Sequence, residues 1–116
     1  MDAGPELDAL VATRVLGWLH VARLYSSDSD AEIWHGNKPG TVIWARPPEV
    51  STSWDAMREV VEAMRKRGFF VRLVRHDGIW WATFWYSMTG DAFYNAKAEI
   101  LPHAVCEAAI AAMEAE

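Results

Sequence analysis

The sequence predicts an α+β domain, a three-layer α/β/α sandwich in which a central, mainly antiparallel sheet of about four strands is flanked by three helices. Three observations carry that expectation: the balance of 52% hydrophobic to 23% charged residues over 116 positions, three segments with apolar residues spaced three and four apart, and an aromatic, β-branched stretch interrupted by Asp-Gly. The length is near the commonest domain size, so residues 1–116 are expected to form a single domain around one core.

The first helix is expected over Glu6 to Leu24, after Pro5, because Leu7, Leu10, Val11, Val15, Trp18 and Leu19 share one helical face. Gly17 leaves its far end open. Ser26 to Glu32 is rich in Ser and Asp and reads as a loop; Ile33-Trp34-His35 and Thr41 to Ala45 then flank the turn-forming Gly36 to Gly40 as a hairpin. Pro47-Pro48 stops the second strand.

Ser51-Thr52-Ser53 offers hydroxyls to the unpaired amides of a second helix, with Asp55 in its positive first turn. Trp54, Met57, Val60, Val61 and Met64 follow at helical spacing; Arg65, Lys66 and Arg67 suit the negative end, and Gly68 supplies the exit. Phe69 to Arg75 and Ile79 to Tyr86 read as strands joined by a primed turn at Asp77-Gly78. That turn sets the register, pairing His76 with Ile79, Val74 with Trp81, Arg72 with Thr83 and Phe70 with Trp85. Both faces of this hairpin are apolar, which calls for cover on both sides. Phe93 to Ile100 is ambiguous, and Pro102 opens a last, Ala-rich helix with Val105, Cys106, Ala109, Ile110 and Met113 inward.

Three segments together resemble a known family: ELDALVATRVLGW at 6–18, STSWDAMREVVEAMRKRGFFVRLVRHDGIWWATF at 51–84, and LPHAVCEAAIAAMEA at 101–115. They are similar to the phage ABA sandwich domain, whose members show an N-terminal Leu-Asp helix ending in Gly-Trp, a Ser-Thr helix start with an inward Trp, a Gly-led aromatic hairpin and a closing helix with Ala-Ile-Cys. The resemblance implies a three-layer fold encoded by phages or prophages, and implies no activity. Residues 25–47 look longer than the pattern, and Ala104-Val105-Cys106 stands where it has Ala-Ile-Cys.

The chemistry-bearing residues form no recognisable site. His20, His35, His76 and His103 lack the spacing that puts two imidazoles on one helical face, so neither metal nor cofactor is expected. His103 and Cys106 are three apart, the one pairing compatible with an activated thiol, yet a Cys on an Ala-rich inward face reads as core. Asp28-Asp30-Glu32 and Glu59-Glu62 read as solvated charge, and there is no phosphate-binding Gly-rich loop. The expectation is therefore a protein that binds and is not an enzyme.

The net charge of −5 disfavours duplex DNA as a partner, and no apolar run is long enough for a membrane. A lone Cys and acids in place of a basic leader point to the cytoplasm, which under the resemblance is that of the bacterial host. Seven tryptophans are the unusual feature. Trp18 and Trp54 are expected in the core; Trp81 and Trp85, with Phe70 and Val74, are expected beneath a helix, with an open platform as the other reading. Under the resemblance, the leading function is an anti-CRISPR-like inhibitor that occupies a host defence protein or complex through Asp28, Asp30, Glu32, Trp34 and Trp44. The alternative is a binder of nucleotides or single-stranded nucleic acid through Arg72, Arg75, Trp81 and Trp85. A homodimer is compatible with either.

Overall fold

The computed structural model describes residues 1–25, 32–86 and 92–115. Among the described residues, three helices and six strands follow one another as α1 (Pro5–Arg14), β1 (Leu19–Tyr25), β2 (Glu32–Asn37), β3 (Trp44–Ala45), α2 (Trp54–Lys66), β4 (Phe69–His76), β5 (Ile79–Tyr86), β6 (Phe93–Ala98) and α3 (Leu101–Glu114). The strands form two antiparallel sheets of three, in the orders β1-β2-β3 and β4-β5-β6, where the sequence suggested a single sheet.

The first helix is shorter than its periodicity suggests. Gly17 adopts a left-handed φ of 76°, the Trp18 N–H closes back onto the Ala12 carbonyl at 2.9 Å, and the chain leaves as a strand. Leu19–Tyr25 therefore pairs with β2, in a register that runs from Leu19↔Asn37 to Tyr25↔Glu32 and slips between Leu19 and Ala22. His20 takes a positive φ of 55° at that irregularity. The expected hairpin between residues 33 and 45 survives only as Gly36↔Ala45 and Asn37↔Trp44.

From residue 51 onward the local chemistry acts as the sequence indicates. The Ser53 hydroxyl accepts the Ala56 N–H at 3.2 Å and caps α2. Asp77 and Gly78 both take positive φ, 52° and 76°, the geometry of a type I′ turn, and every pair from Phe69↔Tyr86 to His76↔Ile79 falls in the anticipated register. Residues 93–98 resolve as β6, paired along β5 from Trp80↔Ala98 to Trp85↔Phe93.

The core joins α1, α2 and α3 to one face of the second sheet. Leu7, Val11 and Val15 from α1 and its end, Val60 and Met64 from α2, and Val105 and Ala109 from α3 meet Phe69, Ala82 and Phe84. α3 lies over β5 and β6 and α2 over β4, while α1 packs on α3 and carries β1 and β2. Small side chains let α3 sit in the middle: Ala104, Ala108, Ala109 and Ala112 are all fully buried. At the end of α2, Arg67 donates from Nη2 to the Val15 carbonyl at 2.8 Å, tying α2 to the exit of α1.

Helices thus cover only one face of the second sheet, whereas the two-sided apolar hairpin led us to expect cover on both. Trp54 departs from expectation as well: it begins α2, is 52% exposed and meets Trp80 edge-on at 5.5 Å. Trp18 is buried as expected.

Candidate functional site

Alternation along three registered strands builds the uncovered face. Residues opposite one another in an antiparallel pair share a face, which gives three rows: Phe70, Trp85, Phe93; then Arg72, Thr83, Asn95; then Val74, Trp81, Lys97. The first row is a continuous band of rings, with centroids 5.6 Å apart from Phe70 to Trp85 and 5.7 Å from Trp85 to Phe93. Phe70 is 53% and Phe93 57% exposed, and Trp81 and Val74 are each 40% exposed.

Behind the rings lies a polar centre. Thr83 Oγ1 donates to Asn95 Oδ1 at 2.6 Å, and Arg72, Thr83, Trp85, Phe93 and Asn95 together line an open concavity of about 490 Å3. Lys97 places Nζ 5.4 Å from the centroid of the Trp81 ring, a cation–π contact. The three rows contain two cations and no acid, on a chain whose net charge is −5.

Of the ligand-binding residues suggested by sequence, the structure brings Arg72, Trp81 and Trp85 together on this face. Arg75 has the opposite parity on β4 and lies over Trp80, its guanidinium carbon 5.9 Å from the ring centroid on the other side of the sheet. Phe93, Asn95 and Lys97 were missed because residues 93–100 were not recognised as a strand. The period-two alternation of Phe93, Asn95 and Lys97 with Tyr94, Ala96 and Ala98 was the available signal.

The other candidate region is divided. Asp28 and Asp30 lie outside the described residues, and of Glu32 only the backbone pairing with Tyr25 is described. Trp34 is half-buried on β2, with the Arg23 guanidinium carbon 5.8 Å from its ring centroid. It borders a concavity of about 320 Å3 shared with Pro5, Asp8, Arg46 and Pro47. Trp44 is 55% exposed on the edge strand β3 and follows Val42 at 91% and Ile43 at 66%.

A family model for the phage ABA sandwich domain matches residues 9–110. The chain belongs to the phage ABA sandwich domain family. Membership places it among phage proteins; no curated protein and no solved structure matches it.

Within this family member, Cys106 and His103 sit in different surroundings. Cys106 is fully buried, and burial first, then the negative Asp8 and Glu107, push its thiol far above the ordinary range. His103 lies instead 2.7 Å from the Met1 carbonyl oxygen and 3.4 Å from Glu107 Oε1. Among the described residues no cluster of three or more His, Cys, Asp or Glu could hold a metal ion, and no helix is long and apolar enough to cross a membrane.

Proposed function

We propose that this phage protein acts by non-covalent binding, without chemistry of its own, and that its contact surface is the open face of the second sheet. The observation that carries the reading is the uncovered ring band Phe70, Trp85, Phe93 beside Arg72 and Lys97. A contiguous apolar patch on a small soluble domain invites aggregation, so its retention with a polar centre points to a partner. Trp and Arg are also the side chains in which binding energy concentrates. A phage protein of this kind fits the role of occupying a component of a host defence system.

The test is the plating efficiency of a defence-sensitive phage on hosts that carry single defence systems and express the protein. Protection by the wild type that is lost in Phe70→Ser/Trp85→Ser, with circular dichroism unchanged, supports the reading. Protection that survives the double change removes the open face from the mechanism.

A second reading, contact with a protein surface through the first sheet, is favoured by the exposed run Val42, Ile43 and Trp44. It assigns the loss of protection to Ile43→Ser/Trp44→Ala instead.

A further inference from the structure

We infer that the occupant of the open face is single-stranded nucleic acid, an inference that rests on the binding reading above. The face combines the two elements such a ligand requires. Aromatic rings offer planes on which bases stack regardless of sequence, and cations beside them meet the backbone. Here Trp85 sits in a three-ring row. Trp81 lies four positions away on the same strand, about 13 Å by strand rise, so the two tryptophans serve different bases.

Arg72 and Lys97 occupy the second and third rows. Neither forms an ion pair with a carboxylate among the described residues, so both are available to phosphates. The Thr83 hydroxyl and the Asn95 amide, joined at 2.6 Å, stand between the rings and can exchange hydrogen bonds with a base edge.

Charge decides among the possible occupants. All the rows lack acids although the chain as a whole carries −5, so the face is a locally cationic part of an acidic molecule and complements a polyanion. A second copy seated on it would bring Arg72 and Lys97 against an equally cationic surface with no carboxylate to meet them. A duplex keeps its base planes stacked inside and leaves the ring band unused. An acidic protein segment matches the charge but not four aromatic planes.

The experiment is fluorescence anisotropy of the whole protein with fluorescein-labelled 12-mers of oligo-dT and oligo-U. A 12-mer duplex, a 12-residue poly-glutamate peptide and unlabelled AMP serve as the comparison ligands. The expected result is micromolar binding of the single strands, weaker for every comparison ligand. With two phosphates neutralised, a rise from 50 to 200 mM salt should weaken it roughly sevenfold. Trp85→Ala should lower affinity about 5- to 150-fold through one lost stack. Arg72→Glu and Lys97→Glu should each weaken binding and flatten the salt dependence, whereas Arg75→Ala on the opposite face leaves both unchanged.

No binding of either strand at 100 μM protein in 50 mM salt overturns the inference. So does poly-glutamate or AMP binding as tightly as the strands. Sedimentation velocity adds a further arm: a dimer that Phe70→Ser/Trp85→Ser dissociates assigns the face to a second copy and overturns it too. If the strands fail to bind while that double variant still abolishes phage protection, only the identity of the occupant falls. If the variant leaves protection intact, the binding reading itself falls.

Discussion

The Ser51 hydroxyl donates to Asp8 Oδ1 at 2.6 Å, and the Ser51 backbone N–H donates to the same oxygen at 2.8 Å. One carboxyl group from α1 thereby holds the chain three residues before α2, and Gly4 N–H closes the arrangement by donating to Ser51 Oγ at 2.9 Å. Both Asp8 and Ser51 are buried. Both of the Ser51 bonds to Asp8 fall on Oδ1. Burial raises the Asp8 carboxyl above its ordinary 3.8, against the opposing effect of the Ser51 bonds.

The first prediction follows from that direction. A raised pKa in the folded state means that the contribution of Asp8 is complete below 3.8, where folded and unfolded chains are both protonated. It declines as pH rises toward the folded value, because the unfolded chain ionises first. Chemical denaturation of wild type and Asp8→Asn from about pH 3 to about pH 7 should show wild type losing stability relative to the variant as pH rises. A constant or growing advantage for wild type would place the carboxyl at or below its ordinary value. Asp8→Ala should cost about 1–3 kcal/mol near pH 3, since it strands the buried Ser51 donors, and less as pH rises.

Cys106 yields the second prediction. The thiolate is the reactive form, and both burial and the thiol's raised pKa oppose it. Reaction with a thiol-specific chromogenic disulfide should be slower in the native protein than in denaturant by roughly two orders of magnitude or more. Rapid native labelling would put the thiol within reach of a substrate and revive an enzymatic role.

The third prediction concerns Gly36 on β2. A Cβ there would lie 2.7 Å from Val21 Cγ2, 3.2 Å from Val21 Cα and 3.3 Å from the Leu19 carbonyl oxygen. Two of those neighbours are backbone and cannot step aside, so Gly36→Ala must push β1 from β2. Urea unfolding should register a loss of about 1–3 kcal/mol. An unchanged midpoint would mean that the β1–β2 pairing is looser than this close approach implies.

How much of this was legible in the sequence depended on whether the decisive force was local. The Ser53 cap, the Asp77-Gly78 turn and the β4–β5 register rest on side-chain and backbone preferences within a few residues, and all were readable. The end of α1 was not, because the apolar spacing runs on through Trp18 and Leu19 while Gly17 and the pairing with β2 redirect the chain. The open face was misjudged for a related reason. Two apolar faces do call for two covers, but α3 has small side chains on several sides and is enclosed by α1, α2 and the sheet at once. All three helices are thereby gathered on one side. Phe93, Asn95 and Lys97 then became visible as site residues only once β6 was in place.

The fourth prediction contrasts two rings of neighbouring strands. Phe84 is fully buried against the helices, whereas Phe70 points from the other face and is 53% exposed. Truncating a buried Phe leaves a cavity as well as losing its transfer energy, so Phe84→Ala should cost about 3–5 kcal/mol. That is a large part of the ~5–15 kcal/mol available to a domain of this size, and a lowered melting temperature or outright unfolding should follow. Phe70→Ala surrenders only its packing against Trp85 and should cost no more than about 1 kcal/mol. The comparison reads the open face directly. If Phe70→Ala proves as damaging as Phe84→Ala, and its effect depends on protein concentration, then this face is covered in the free protein by a second copy. Near-neutrality at all concentrations is the outcome expected of a surface kept open for a ligand.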